Sequence, residues 1–361
     1  MRLFQNSGLM PAYVRRLRKL ARPALSFADQ RRIVLADRYG ASHLLKPVLD
    51  EDSQSFFTNG DDQNLQRAWA REQGMRSDAS IEEVLLSQIE AHRTEVFYNL
   101  DPVRYPSSFI QKLPGCVKHA IAWRAAPSGS ADFSAYDLIV SNFPSINESY
   151  RKIGWRTAYF APAHDPEMDA YARSIERPVD VVFIGSYSRN HRQRAGVLEA
   201  VAKLRDRYDI VYHIDSSSKF LRLAESPMGA IGPLRKYRRP SDIRAVEAPP
   251  VFGRDLYACL SRAKIVINGA IDMAGADRGN MRCWEAMGCG VLLLSDAGNY
   301  PEGMSQGKTM ATYSSIDEAV AAVKKFLAVP SAAADLAAAG YAMIREHYSK
   351  ERQWQAFQAL I

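Results

Sequence analysis

Val179-Asp180-Val181-Val182-Phe183-Ile184-Gly185-Ser186 is a run of β-branched and aromatic side chains that closes on a glycine, the pattern of a buried strand ending in a turn. A helical stretch follows, from about residue 189 to 208. Apolar runs at 210–214, 264–268, 291–294 and 309–313 then alternate with helices near 253–262 and 280–289, which predicts an open parallel sheet covered by helices. Upstream the same alternation is already present. Residues 33–36, 95–99, 117–123, 138–140 and 157–160 read as strands, and 62–73 and 80–93 as helices. Between the halves lies Ala161-Pro162-Ala163-His164-Asp165-Pro166, where two prolines within five residues break regular structure and mark a linker.

The chain is thus read as two α/β domains, 27–163 and 164–346, with flanking pieces. Residues 1–26 hold six basic side chains and no acid, with Leu17, Leu20 and Leu25 between Arg15, Arg16, Arg18, Lys19 and Arg22. They predict a basic amphipathic helix, either packed on the first domain or in contact with an anionic membrane surface. Residues 215–250, rich in proline and carrying Arg235, Lys236, Arg238 and Arg239, predict an irregular excursion. Ser315-Ile316-Asp317-Glu318 has the spacing of a capping box, so a helix is expected there. Another is expected over 331–346, and a last one over 350–360 with Trp354 and Phe357 on one face.

At 361 residues the chain is too long for one ordinary core and fits two domains of about 150 residues. Its 47% hydrophobic and 24% charged residues exclude disorder and collagen. No apolar run has the bilayer-spanning length and no apolar signal core opens the chain, so a cytoplasmic protein is expected. Cys116, Cys259, Cys283 and Cys289 lack metal-ligand spacing and read as reduced thiols. The Asp50-Glu51-Asp52 run has no apolar strand leading into it and reads as a solvated turn rather than a metal site. The net charge of +7 suits phosphorylated ligands, anionic lipid or nucleic acid. Nothing in the chain resembles a nucleic-acid motif with stacking aromatics, so nucleic acid is not expected as a partner.

The segment richest in chemistry is Asp277-Arg278-Gly279-Asn280-Met281-Arg282-Cys283-Trp284-Glu285-Ala286-Met287-Gly288-Cys289-Gly290, followed by an apolar strand. With Asn280 as cap, the first-turn amides of the helix face a crevice at the carboxyl end of parallel strands. Arg278 and Arg282 add full charge there, which suits a diphosphate. Asp277 and Glu285 repel phosphate but accept hydrogen bonds from hydroxyls, so the combination points to a ligand with both groups, a nucleotide sugar. The alternative is that Glu285 only pairs with Arg282 on the helix surface.

Residues 279–290 resemble the N-x-R-x-F/W-E-A-x-x-C-G segment of the CgeB-like glycosyltransferases, relatives of the group 1 glycosyltransferases with the GT-B fold. Residues 180–186 resemble the first strand of that family's donor domain, 261–268 the strand before its site, and 348–352 its closing helix. The resemblance implies two Rossmann-like lobes with parallel sheets facing a central cleft. Residues 27–163 would take the acceptor, 164–346 the nucleotide sugar, and 347–361 would cross back to the first lobe. Glu285 matches the second acid of the family's E-x7-E pair, which contacts the ribose. Asp277 stands where the first acid, usually Glu, faces the donor sugar. The pair implies retention of anomeric configuration.

Gly185 and Ser186 would form the donor-domain turn, and Arg189, Arg192 and Arg194 follow it, where the family has a positive pair at the leaving diphosphate; a solvated helix start is the alternative. With the amides of Gly279, Asn280 and Met281 and the charge of Arg278 and Arg282, they imply transfer without a divalent metal or other cofactor. On the acceptor side, no acid follows Trp123, so no catalytic base is expected there. His119 reads as structural, Arg38 to His43 as a weak glycine loop, and His164 as a linker residue. The leading reading is a glycosyltransferase acting on a glycan, lipid-linked or protein acceptor. A nucleotide-sugar epimerase of the same fold and a non-catalytic nucleotide-sugar- or glycan-binding protein stand as alternatives.

Overall fold

The computed structural model describes residues 1–174, 176–215, 223–230, 232–270 and 273–361. The chain forms two compact units. The first comprises residues 1–163, 273–277 and 350–361, and the second residues 164–272 and 278–349.

In the first unit, β1 (Leu3–Asn6), β2 (Ser55–Thr58), β3 (Val96–Asn99), β4 (His119–Trp123), β5 (Leu138–Ser141) and β6 (Thr157–Tyr159) form a parallel sheet in the order β2-β1-β3-β4-β5-β6. The N-terminus corrects the expectation of a separate basic helical segment over 1–26. Leu3–Asn6 is an interior strand, with Leu3 opposite both Ser55 and Val96. Its polar residues are buried because every one is bonded. Gln5 donates to the His43 carbonyl at 3.0 Å and accepts from the Leu45 amide at 3.1 Å. Asn6 donates to Asn99 Oδ1 at 2.9 Å and accepts from the Gly60 amide at 2.8 Å.

The Pro11–Leu20 helix follows directly and buries Ala12, Tyr13 and Leu17. A second correction concerns 33–36, expected as a strand, which lie inside the Phe27–Asp37 helix capped by Ser26. Of the four apolar residues there, Val34 and Leu35 face inward while Ile33 and Ala36 do not. Asp50 pairs with Lys46, and Asp52 Oδ1 accepts from the Gln54 amide at 2.7 Å in the turn that leads into β2. Lys350, only 2% exposed, seats the C-terminal Lys350–Gln358 helix by donating to the carbonyls of Ala41 and Leu44 at 2.7 Å and of Ser42 at 3.2 Å. Phe357 packs 4.9 Å from Tyr98 in the same core and stacks on Trp354.

In the second unit, β7 (Val179–Gly185), β8 (Ile210–Ile214), β9 (Glu247–Ala248), β10 (Ala263–Ile267), β11 (Leu292–Asp296) and β12 (Ala311–Tyr313) form a parallel sheet ordered β9-β8-β7-β10-β11-β12. The chain winds outward from β7 to one edge, then returns to β10 and winds to the other. That reversal is the topological switch point at which open α/β sheets bind ligands. Val181, Phe183, Ile265, Ile267, Leu292 and Leu294 point into one core with Val197, Leu198 and Val323 from the covering helices. The helix after β7 spans Arg192–Ala202, shorter than expected at both ends. Ser315 accepts from the Glu318 amide at 3.2 Å, but Glu318 accepts from the amide of Ser314, at 2.7 Å, instead of closing the box on Ser315. Among the described residues no single helix is long and apolar enough to cross a bilayer.

Candidate functional site

The carboxyl ends of β7, β10 and β11 end in polar or small residues: Gly185-Ser186, Asn268-Gly269-Ala270 and Ser295-Asp296. Around them His191, Gln193, Arg194, Gly269, Ala270, Arg278, Asp296 and Tyr313 line a small pocket within the second unit. Each wall has a structural cause. Arg194 lies on the first turn of the Arg192–Ala202 helix, donates to the Ser186 carbonyl, and covers the Phe183 ring at 5.2 Å. Burial pulls its pKa below the ordinary arginine value, although a guanidinium keeps its charge at physiological pH. The two glycines beside it leave little spare room. A Cβ at Gly185 would come 3.0 Å from the Phe183 ring, and one at Gly269 would come 3.2 Å from Tyr313 Oη and 3.3 Å from the Arg194 side chain.

On the opposite wall Arg278 Nε lies 2.6 Å from Asp296 Oδ2, and Asp296 Oδ1 accepts from the Ala270 amide at 3.0 Å. One carboxylate thereby fixes both a cation and the backbone that follows β10. Gly279 has a φ of 115°, a conformation open to glycine and costly for other residues. Asn280 takes the N-cap position in extended conformation, but its side chain does not cap. It donates to Asn268 Oδ1 at 3.1 Å, and Asn268 in turn donates to Ser295 Oγ at 3.1 Å. The Asn280 side chain thus ties the helix start to the ends of β10 and β11. The Met281–Gly288 helix therefore starts beside those strand ends, and the unpaired first-turn amides of a helix attract anions.

Arg282 and Glu285 do pair, at 2.6 Å, but not on the surface: Glu285 is 6% exposed, on a helix turn shared with buried Trp284, Ala286 and Met287. The glycines that close the segment are structural. A Cβ at Gly288 would sit 2.4 Å from Met168 Sδ and 2.8 Å from His164 Nδ1, and Gly290 has a φ of 63°. Cys289 is buried, and burial pushes its thiol pKa up, so it packs as an apolar side chain.

The other predicted residues are not part of the lining of this pocket. Asp277 belongs to the first unit, where its buried carboxylate accepts from the Ser145 amide at 2.6 Å, at the start of the Pro144–Lys152 helix. Arg192 is exposed, and exposed Arg189 donates to the Arg238 carbonyl at 3.0 Å. His164 Nε2 bonds Asp169 at 2.8 Å, and burial lowers its pKa. His43 is buried 4.2 Å from the Trp123 ring, with its pKa pulled down to about 3 by burial and by Lys350. Asn268, Gly269, Ala270, Ser295, Asp296 and Tyr313 were not among the predicted site residues. The available signal was the abrupt change from apolar to polar at the end of each buried strand. Among the described residues no group of three or more His, Cys, Asp or Glu side chains is arranged to hold a metal ion.

Residues 192–359 match the model of a family described as glycosyl transferase-like. No curated protein sequence matches the chain. Among solved structures it is similar to Anabaena HepE in complex with UDP and glucose, with 11% identity, a TM-score of 0.60, and coverage of 100% of this chain and 99% of that one. It is similar to a glycosyltransferase from Rickettsia africae, at 10% identity and a TM-score of 0.58, covering 99% and 97%. Sucrose-phosphate synthase from Thermosynechococcus elongatus gives 11% identity and a TM-score of 0.53, covering 99% and 97%. The chain has the GT-B fold, as its two parallel sheets led one to expect, and its residues 192–359 carry the pattern of the glycosyl transferase-like family.

Proposed function

We propose that the chain is a glycosyltransferase of the CgeB-like type that binds a nucleotide-sugar donor on its second unit and passes the sugar to a hydroxyl of a glycan, lipid-linked or protein acceptor. The observation that carries this reading is the pocket at the switch point, where Arg194 and Arg278 flank the glycine and amide groups after β10. In transfer, the bond between the anomeric carbon and the diphosphate oxygen breaks, and its electron pair stays on the diphosphate. The acceptor oxygen bonds the anomeric carbon, and its proton passes to the departing diphosphate oxygen. Preorganised cations stabilise the charge that develops on the leaving group. Arg194, Arg278 and the first-turn amides of the Met281–Gly288 helix do this as fixed charge, so transfer needs no divalent metal. Glu285, held by Arg282, accepts hydrogen bonds from hydroxyls of the donor. Retention of configuration rests on the family resemblance of the acid pair. HepE is described with UDP-glucose, which makes UDP-sugars the first donors to test.

Calorimetric titration with UDP and with uridine tests the reading. Arg194→Ala should weaken UDP binding about 10- to 100-fold, the worth of a charge-assisted hydrogen bond, while uridine binding changes little. Equal losses for both ligands would remove Arg194 from the diphosphate site. Tight donor binding with neither transfer nor hydrolysis would favour the non-catalytic alternative.

A further inference from the structure

A cavity of about 260 Å³ lies within the first unit, between the Pro11–Leu20 helix, the Phe27–Asp37 helix and the start of the Gln63–Glu72 helix. Val14, Leu17 and Ala21, three and four positions apart, give it an apolar wall. The rest of the lining is polar and only partly bonded. Gln30 is 3% exposed; its Nε2 donates to the Leu25 carbonyl at 2.9 Å, and among the described residues its Oε1 accepts nothing. A buried amide oxygen is costly to leave without a donor, so water or a ligand in the cavity must supply one. Arg18 and the Asn64 side-chain amide line the same space, and among the described residues neither donates a hydrogen bond. Asp61 accepts from the Leu9 amide at 2.9 Å and Asp62 from the Asn64 amide at 3.0 Å, which leaves acceptor capacity on both carboxylates.

The charges balance, with Arg104 3.9 Å from Asp61 and Arg18 acting on Asp62, so the cavity favours neither a phosphate nor an ammonium group. An apolar ligand would leave the Gln30 oxygen without a donor. A polyol meets every condition, because each hydroxyl both donates and accepts. The volume lies just below the range of about 300 to 1,000 Å³ that holds drug-sized ligands, enough for one sugar ring. We propose that this cavity binds one ring of a neutral saccharide, with its hydroxyls between the acceptors Gln30, Asp61 and Asp62 and the donors Arg18 and Asn64, and a C–H face on Leu17. Helices wall the cavity, whereas open α/β sheets hold their principal ligand at the strand ends, so the ring bound here is one that does not react. The inference stands apart from the donor pocket, which belongs to the second unit.

The test is calorimetric titration of the full-length chain, without nucleotide, with the methyl glycosides of glucose, galactose, mannose and N-acetylglucosamine. At least one should bind with a Kd of about 1 mM or tighter. Arg18→Ala and Asn64→Ala each remove one donor, and together they should weaken that binding at least about tenfold with an unchanged thermal midpoint. Arg22→Ala, exposed and outside the lining, should stay within about twofold of wild type. No saturable binding of any glycoside up to about 10 mM would overturn the proposal, as would equal binding by the double variant and the wild-type chain. Displacement of the glycoside by inorganic phosphate or by spermidine would also overturn it, since the cavity would then be an ion site. UDP titrated into the same preparation reports the second unit separately: UDP binding without glycoside binding sinks this proposal alone, and the reverse outcome sinks the donor reading alone.

Discussion

Glu285 shows how much one residue can say. The sequence left a ligand-facing role and a surface pair with Arg282 as alternatives; the pair forms, but Glu285 is buried among apolar neighbours. A carboxylate so placed and neutralised on one oxygen keeps acceptor capacity for a hydroxyl. Glu285→Gln should therefore weaken UDP binding about tenfold with little change in thermal midpoint, and calorimetry on the variant would read it. Unchanged affinity would assign Glu285 to helix stability alone. Asp277 shows the opposite limit. Spacing along the chain put it eight positions from Glu285, but the chain passes between units at that point, and Asp277 bonds the Ser145 amide of the first. No local pattern announces a partner 132 positions away. Asp296 escaped for a similar reason, because its value lies in joining Arg278 to the Ala270 amide, two contacts made only after three segments converge.

Among elements, β7 and β11 of the second unit were legible because they are apolar and stopped by glycine or polar residues, whereas the two-residue β9 fell in the stretch read as irregular. β1 was not legible. Four residues, two of them polar, give too short a period, and their burial depends on partners near residues 43, 60 and 99. Residues 33–36 misled for the complementary reason, since four consecutive apolar residues fit a strand and a helix equally. The C-terminal helix depends on a single cation. Lys350→Met keeps the stem and deletes the ammonium, leaving buried carbonyls of Ala41, Ser42 and Leu44 without this donor. The expected cost is about 2 to 4 kcal/mol in denaturant unfolding of the first unit. A loss below about 0.5 kcal/mol would mean that other groups satisfy those carbonyls on relaxation.

For the molecule as a whole, acid sensitivity follows from buried neutral histidine. His43 is held at a pKa of about 3, against about 6.5 in the unfolded chain. Between those values the unfolded chain binds more protons, so stability falls as pH falls. His92 and His164, both lowered mainly by burial, act in the same direction. His43 alone should cost about 2 kcal/mol between roughly pH 6.5 and pH 5, measured by denaturant unfolding, and His43→Gln should flatten that slope. A stability independent of pH over this window would show His43 to be protonated in the folded state. The central claim is that the second unit activates a nucleotide sugar with fixed protein charge. The most direct test is release of UDP from UDP-glucose and related donors, measured with excess EDTA and again with magnesium, for the wild-type chain and Arg194→Ala. One donor class should be turned over, at rates within about twofold in the two conditions, and Arg194→Ala should lose at least about tenfold. No turnover and no thermal stabilisation with any nucleotide sugar, or a hundredfold loss in EDTA restored by magnesium, would contradict it.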